Sequence, residues 1–224
     1  MLIAGFQKTS FVDYPKRIAA VVFTPYCTMR CVYCHNRHIL GRDAEIIDEC
    51  EVMEYLEKRS GMLDAVVITG GEPTLRQDLP DFIADIRQLG YLVKLDTNGT
   101  NPDMLLRLIN EKQLDYIAMD IKAPFEKYDE ITCCKNDLSA IHRSITIIMN
   151  SGVDYEFRTT FPPQLSPDDI ATLAGQIKGA KKYCVQQYRK VTNDDPEPLP
   201  PSTVRLAAQK AQEILGIPVE VRGL

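Results

Sequence analysis

The sequence has neither a long apolar run nor an excess of basic residues. Among its 224 residues, no apolar stretch approaches the ~20 residues that a membrane helix needs. The first residues also hold too few apolar positions for a signal-peptide core, so we expect a cytoplasmic protein with no membrane partner. The net charge of −5 and pI near 5.3 argue against a nucleic-acid partner, because surfaces that bind nucleic acid are usually basic. A small molecule or another protein is therefore the expected substrate or partner.

Internal repeats, low-complexity tracts and a disulfide framework are also missing. A chain of this length suffices for one core, so we expect a single domain over residues 1–224. The seven cysteines are an odd number, and three of them lie within eight positions, whereas disulfide pairs are usually spread through a fold. Reduced thiols that bind a metal or a cluster are the better expectation. The cysteines outside that group are interpreted as core or incidental residues, namely Cys50, Cys133, Cys134 and Cys184.

Short apolar runs alternate with amphipathic helical patterns along the chain. After an amino-terminal segment (3–16) with turns at Gly5 and Pro15, the runs predict strands at 18–24, 65–69, 92–97, 116–122, 154–161, 182–188 and 218–222. Helices are predicted near 48–59, 78–89, 103–111, 138–150, 167–178 and 202–215.

This alternation predicts an α/β fold with a parallel sheet. A full eight-fold barrel typically has ~250 residues, so we predict a partial, open TIM-type barrel of about six βα units plus a carboxy-terminal strand. A doubly wound sheet is the alternative, although no G-x-G-x-x-G follows the first strand.

Three cysteines, Cys27, Cys31 and Cys34, form the pattern C-x3-C-x2-C directly after the first predicted strand. A cubane iron-sulfur cluster normally takes four thiolates, so three cysteines without a fourth imply one iron that is open to another ligand. A structural zinc site completed by a nearby histidine or by Cys50 is an alternative, although such sites usually pair two separate knuckles. A redox dithiol of Cys31 and Cys34 is another, which leaves Cys27 unexplained.

Further polar clusters fall at the ends of the predicted strands. These are GGEP at 70–73, DTNG at 96–99, DIK at 120–122, Arg158 in the fifth strand and QQYR at 186–189. The carboxyl ends of parallel barrel strands lie on one face, where barrel enzymes have their active sites, so we expect these clusters to converge. The alternatives are a tight turn for GGEP, an Asp-capped turn for DTNG and a structural salt bridge for Arg158.

Four charged residues in these clusters carry specific expectations. Glu72 presents a carboxylate where two glycines let a ligand approach the backbone. Arg158 is expected to point into the barrel toward an anion. Asp120 and Lys122 are expected to face opposite sides of the sheet, with a plain surface pair as the alternative.

With these motifs in this order, the sequence resembles the radical S-adenosylmethionine (SAM) superfamily. Tyr33 occupies the aromatic position before the third cysteine, and GGEP looks like the motif that binds the methionine amino group of SAM. Within the superfamily, residues 9–27 followed by RCVYCHN look like the activating enzymes of glycyl-radical enzymes. The closest likeness, over about residues 5–188, is to the activating proteins of the anaerobic ribonucleoside-triphosphate reductase.

This resemblance implies an enzyme that cleaves SAM reductively at one 4Fe-4S cluster to generate a 5′-deoxyadenosyl radical. It also implies that the radical is used to install a glycyl radical on a partner, with anaerobic ribonucleotide reductase as the expected glycyl-radical enzyme. A low-potential electron donor such as flavodoxin or ferredoxin is implied as well. A radical SAM enzyme that acts on a small molecule or nucleoside remains an alternative, and a non-catalytic, zinc-stabilised adaptor is the alternative from another class.

The resemblance also implies roles for individual residues. The cluster ligands would be Cys27, Cys31 and Cys34, the methionine amine would be held by Gly70, Gly71 and Glu72, and the carboxylate would meet Lys122 and Arg158. Further cofactor contacts would come from Tyr33 beside the adenine, Asn98, and Gln187 at the ribose. By likeness to pyruvate formate-lyase activases, a monovalent cation would be held by Asp96, Thr97 and Asp120.

The chain departs from the activase pattern at two places. Activases commonly have Gly before the first cysteine and Asn after it, where this chain has Tyr26 and Thr28. The sixth strand reads Gln186-Gln187 where related activases have a histidine near the ribose. The ferredoxin-like cysteine insert of some activases is also missing, which is why one cluster is expected.

Overall fold

Eight strands form one sheet whose spatial order follows the chain from β1 to β8 in the computed structural model, which describes residues 1–41 and 43–224. The strands are β1 (Gly5–Ser10), β2 (Ala19–Thr24), β3 (Ala65–Gly70), β4 (Leu92–Thr97), β5 (Tyr116–Asp120), β6 (Asp154–Phe161), β7 (Tyr183–Gln187) and β8 (Val219–Arg222). The helices are α1 (Glu49–Lys58), α2 (Leu79–Gln88), α3 (Pro102–Asn110), α4 (Tyr128–Thr132), α5 (Leu138–Asn150), α6 (Pro167–Gln176) and α7 (Pro201–Leu215).

The predicted open, partial barrel is confirmed. Strands β2 to β8 are all parallel, and a helix lies between each of them and the next, which gives the six expected βα units and the final strand. The sheet ends at β1 on one side and at β8 on the other, so the barrel does not close. None of the helices in the described parts of the chain combines the length and apolarity needed to cross a membrane.

Two elements were not predicted. Gly5 begins strand β1 rather than a turn, and β1 pairs antiparallel with β2, with Gly5 opposite Phe23 and Gln7 opposite Val21. Half of the β1 residues are exposed, so the strand lacks the buried apolar run that identified the others. Helix α4 has only five residues, too few to show a helical period.

The two faces of the sheet bury different kinds of side chain. The outer face packs against the helices through branched residues such as Val22, Ile68 and Leu95, all fully buried, and each such burial contributes roughly 1.5–3 kcal/mol. The inner face carries small residues instead, including Ala19, Ala65, Val67 and Ala118. The inner face therefore leaves space inside the barrel.

That space is partly filled by the segment between β1 and β2, residues 11–17, which we call the strap. Tyr14 of the strap is 7% exposed and packs against the inner-face alanines, with its ring centroid 5.7 Å from that of Tyr116. Ser10, at the end of β1, donates to the Asp13 carboxylate at 2.5 Å and accepts from the backbone N–H groups of Val12 and Asp13. The strap is thus held by the Ser10 hydrogen bonds at its start and by Tyr14 at its centre.

Candidate active site

A cavity of about 400 Å³ opens at the carboxyl ends of the parallel strands. Twelve of the fourteen predicted site residues line it, namely Cys27, Cys31, Tyr33, Cys34, Gly70, Gly71, Asp96, Thr97, Asn98, Asp120, Lys122 and Arg158. Parallel strands with sequential connections bring their carboxyl ends together, which is why motifs far apart in sequence meet here. Glu72 and Gln187 are the two that do not line the cavity.

Helix α4 holds the cysteine loop in place. The Arg30 N–H donates to the Thr132 carbonyl at 2.9 Å and the Val32 N–H donates to the Ile131 carbonyl at 3.1 Å. These carbonyls lie at the carboxyl end of α4, where helix carbonyls lack partners within the helix. The short helix that sequence reasoning missed therefore supplies the acceptors that position the loop between Cys27 and Cys34.

The residue before the first cysteine adopts a left-handed conformation. Tyr26 has φ of 66°, a value that favours glycine, and activases commonly have glycine there. Tyr26 therefore holds a left-handed turn that glycine would adopt at lower cost. The Tyr26 carbonyl accepts from the Glu72 N–H at 2.8 Å, which holds the turn against the GGEP loop.

Gly70 and Gly71 allow two segments of the chain to approach each other closely. A Cβ at Gly71 would lie 1.7 Å from the Tyr26 carbonyl oxygen, and one at Gly70 would lie 2.4 Å from the Thr24 nitrogen. The Gly71 N–H donates to the Thr24 carbonyl at 2.8 Å. The missing side chains of the two glycines therefore make room for the backbone that leads into the cysteine loop. The sequence predicted only that they would let a ligand approach. Their remaining backbone atoms line the cavity.

Glu72 is fully buried and braces two strand ends. Its carboxylate accepts hydrogen bonds from the Thr74 N–H at 3.0 Å, the Thr97 hydroxyl at 2.9 Å and the Asn98 N–H at 2.6 Å. Burial raises the pKa of Glu72, and these donors oppose that rise. All of these partners belong to the protein, so the carboxylate braces the two strand ends here, and its contact with the methionine amine stays a prediction.

A connected group of partly buried charges lies along one wall of the cavity. Arg158 donates to Asp120 at 2.8 Å and to Asp96 at 3.2 Å, Lys122 donates to Asp120 at 3.0 Å, and Lys94 donates to Asp96. Burial opposes ionisation of Asp120, but Arg158 and Lys122 outweigh it and hold the pKa of Asp120 well below its usual value. Three cations here meet two carboxylates, which leaves capacity for one more anionic group.

The prediction that Asp120 and Lys122 face opposite ways is wrong. They are two positions apart, and residues with that spacing on an extended strand share a face. Both line the cavity and they form an ion pair with each other. Arg158 points into the barrel as predicted, but the anions that it meets are two carboxylates of the protein, which is the structural salt bridge given as the alternative. Its contact with a bound carboxylate stays a prediction.

Gln186, rather than Gln187, lines the cavity. Arg158 and Thr160 of β6 line the cavity, and they pair with Cys184 and Gln186 of β7. Positions 184 and 186 are therefore the inward positions of β7. Gln187 points to the other side, where its amide donates to the carbonyls of Tyr188 and Leu199. The predicted contact of Gln187 with a ribose is therefore wrong, by one position in strand register.

The cavity suits a cluster better than a single metal ion. In the described parts of the chain, no group of three or more His, Cys, Asp or Glu side chains is arranged to hold one ion, which argues against the zinc alternative. A redox dithiol of Cys31 and Cys34 would leave Cys27 without a role, although Cys27 lines the same cavity. The Cys27 sulfur accepts from the Met29 N–H at 3.4 Å and from the Asn98 amide at 3.5 Å.

Tyr33 gives a second indication that this cavity holds a bound cofactor. The ring is buried beside the cysteines, and its hydroxyl is buried without a hydrogen-bond partner from the described residues. A buried hydroxyl normally has a partner, so an acceptor brought in by a bound group would complete the site. Three thiols on one loop, donors to sulfur and an unpaired hydroxyl together fit an iron-sulfur cluster and its ligand.

Comparison with known proteins agrees with this geometry. Residues 21–177 match the family described as the radical SAM superfamily. A Methanocaldococcus jannaschii protein named as a glycyl-radical enzyme activating enzyme is 37% identical over 193 residues, which cover 84% of this chain and 80% of the relative. A Methanocella arvoryzae protein named as a GTP 3′,8-cyclase is 23% identical over 74% of this chain, and this chain spans 55% of its length.

The fold also matches a solved structure. SuiB of Streptococcus suis, in a crystal structure with its precursor peptide SuiA, superposes with a TM-score of 0.72 at 15% identity. The match covers 91% of this chain and 48% of SuiB. The family match spans the cysteine loop and the strand ends that line the cavity, and membership implies a 4Fe-4S cluster and SAM as cofactors. The protein is an enzyme of the radical SAM superfamily.

Proposed function

We propose that this enzyme installs a glycyl radical on a partner protein, with an anaerobic ribonucleotide reductase as the expected partner. The observation that carries the proposal is the 37% identity, over 80% of its length, to a relative named as a glycyl-radical enzyme activating enzyme. The geometry agrees, since the open barrel leaves a side entrance to the cavity. Asp13, Arg158 and Gln186 line both the cavity and a second cavity that opens sideways between the strap and β8.

The residues of the cavity have distinct proposed roles. When bound, the cluster and SAM together supply a one-electron reductive cleavage that generates a 5′-deoxyadenosyl radical. The three motif cysteines would hold the cluster, and Arg158 and Lys122 would attract the SAM carboxylate through the positive excess of their ion-pair group. Backbone atoms of Gly70 and Gly71 would accept from the amine, and Tyr33 would lie beside the bound nucleoside. Gln186 replaces Gln187 as the candidate for the ribose.

A monovalent cation at Asp96, Thr97 and Asp120 stays a prediction. It would share the two carboxylates with Arg158, and the Thr97 hydroxyl already donates to Glu72 at 2.9 Å. Cleavage of SAM measured in potassium and in tetramethylammonium salts tests it. Equal rates in both would remove the cation from the proposal.

The partner is tested by electron paramagnetic resonance. The reconstituted enzyme is incubated anaerobically with SAM, a low-potential donor such as flavodoxin or ferredoxin, and a purified anaerobic ribonucleotide reductase. A glycyl-radical doublet on the reductase is expected. If 5′-deoxyadenosine forms but neither this reductase nor a pyruvate formate-lyase acquires the radical, the proposed activase function is wrong while SAM cleavage stands.

A second candidate is a radical reaction on a nucleotide, favoured by the likeness to a relative named as a GTP 3′,8-cyclase. Because this chain spans 55% of that relative, the comparison does not extend to the rest of it. Incubation with GTP under the same conditions separates the two functions. Conversion of GTP coupled to SAM cleavage would favour the nucleotide reaction.

A further inference from the structure

The strap exposes two adjacent apolar side chains at its tip. Phe11 is 74% exposed and Val12 is 87% exposed, more than any other large apolar side chain in the described parts of the chain. A single exposed apolar residue is ordinary on a soluble protein, but neighbouring ones form a patch that usually has a partner. We call Phe11 and Val12 the apolar tip.

The apolar tip is held by contacts on both sides although it is exposed. On one side the buried Ser10 hydroxyl accepts from the Val12 N–H at 3.2 Å and donates to Asp13. On the other side Tyr14 is anchored among the small residues of the inner face. A surface that is fixed before binding loses little conformational entropy when a partner arrives. The exposure of the tip is therefore built into the fold.

The tip borders the side entrance to the active site. A cavity of about 470 Å³ has the strap as one wall and side chains from β4, β6, β7 and β8 as the other. It shares Asp13, Arg158 and Gln186 with the cavity that holds the motif cysteines. Anything that reaches the site from this side passes between the tip and the inner face of β8.

The far wall of this entrance favours an extended peptide. Strand β8 pairs only with β7, so in the described parts of the chain the backbone N–H and C=O groups on its other edge have no strand partner. An extended peptide can satisfy such groups by adding a strand. Glu220 and Arg222 of β8 line the entrance and pair with each other at 2.8 Å, so this wall is polar. A nucleic acid is disfavoured by the net charge of −5.

We infer that the apolar tip and the edge of β8 form the docking surface for an extended peptide segment of the protein substrate. The tip contacts an apolar side chain of that segment, and the β8 edge binds its backbone. The inference rests on the proposed function, because it assigns a surface to the partner that the function requires. The Phe11 and Val12 side chains lie outside the group of residues that lines the SAM cavity, so they bind the partner without contributing to cleavage.

The test compares a tip variant with a matched control. Phe11→Ser combined with Val12→Ser removes the apolar tip, and Met62→Ser removes another exposed apolar side chain, 64% exposed, outside both cavities. Random peptides displayed on phage are selected on the unaltered, reconstituted enzyme in the presence of SAM. Affinities of the selected peptides are then measured on all three proteins, together with the rate of SAM cleavage without any partner.

The expected result is peptide binding to the tip variant that is weaker by about tenfold or more, since two apolar side chains lose their buried contacts. The Met62 variant should bind as the unaltered enzyme does, and all three proteins should cleave SAM equally. With a partner enzyme, the glycyl-radical yield should fall in the tip variant alone. Selection of no peptide, or equal binding by the tip variant, would overturn the docking surface. Neither result would affect the proposed function, which is decided by the radical on the partner.

Discussion

Tyr26 shows how this chain keeps a turn that glycine would form at lower cost. A non-glycine residue in the left-handed region costs roughly 1–2 kcal/mol, and Tyr26 has φ of 66° immediately before the first cluster cysteine. The carbonyl that this turn presents to Glu72 links the cysteine loop to the GGEP loop. The local strain is thus the consequence of a contact that the site requires.

A pair of substitutions at Tyr26 isolates this strain. Tyr26→Gly and Tyr26→Ala both remove the ring, but only glycine relieves the left-handed conformation. We expect the glycine variant to have a higher free energy of unfolding than the alanine variant by about 1 kcal/mol, measured by denaturant titration. If the alanine variant is equally stable, Tyr26 does not hold that conformation in solution.

Gly71 is the position where a side chain is excluded most strongly. A Cβ there would lie 1.7 Å from the Tyr26 carbonyl oxygen, which is backbone and cannot rotate away. We expect Gly71→Ala to lower the free energy of unfolding by about 3 kcal/mol or more and to reduce iron incorporation. Circular dichroism melts and iron analysis measure both effects.

Gly175 in helix α6 provides the matched control for this substitution. A Cβ at Gly175 would meet nothing within 4 Å, and helices favour alanine over glycine by about 0.5–1 kcal/mol. Gly175→Ala should therefore leave the protein as stable or slightly more stable. A Gly71→Ala variant that behaves like this control would show that the two loops are farther apart than described here.

Strands and helices were predictable where a run of residues buries a single face. Helix α5 and strands β4 and β6 have the predicted bounds. Strand β1 and helix α4 were not predicted because each depends on contacts outside its own sequence. Strand β1 depends on pairing with β2, and α4 is bound to the cysteine loop. Local periodicity carries no signal of such contacts.

The candidate site was predictable as a set of motifs but not in its side-chain directions. The strand-end rule brought twelve predicted residues to one cavity. It failed for Gln187 because a strand register shifted by one residue reverses the face. It also gave no sign that the Thr97 hydroxyl and the Asn98 N–H donate to Glu72. Burial and partner identity depend on the packed structure, which no single motif contains.

An ion pair ties the edge strand β8 to the rest of the barrel. Glu156 of β6 is 1% exposed and accepts two hydrogen bonds from Arg222 of β8, at 2.7 and 2.8 Å, and one from Tyr116 of β5. Burial opposes ionisation of Glu156, but Arg222 and Lys182 outweigh it and lower the pKa of Glu156 to about 2. This interaction stabilises the side entrance of the barrel.

The sign of the pH dependence follows from this lowered pKa. A carboxylate with a lower pKa when folded stabilises the protein above its unfolded pKa of 4.5 and loses that contribution as pH falls toward 2. The contribution is about 3 kcal/mol. We expect Glu156→Gln to be less stable at neutral pH and to lose this part of the acid dependence, measured by urea titration at several pH values. If the free energy of unfolding of the variant depends on pH as that of the unaltered protein does, the ion pair of Glu156 and Arg222 does not form as described.

At the scale of the whole molecule, an open barrel places one reactive cavity where it can be reached from the side. Seven parallel strands bring the motifs to one end, and the missing closure between β1 and β8 leaves the entrance bordered by the strap. The same openness exposes β8 as an edge and leaves the cavity accessible from the side. Fold and function are linked through this gap in the sheet.

The central claim is that the three motif cysteines hold a cluster at which SAM is cleaved. The most direct measurement is anaerobic reconstitution with iron and sulfide, followed by quantification of 5′-deoxyadenosine after addition of SAM and a reductant. A Cys50→Ser variant, altered at an exposed cysteine outside the cavity, serves as the control. We predict 4Fe-4S absorption and 5′-deoxyadenosine from the unaltered protein and the control, and neither from Cys31→Ala. An intact cluster without SAM cleavage, or a Cys31→Ala variant that keeps both, would contradict it.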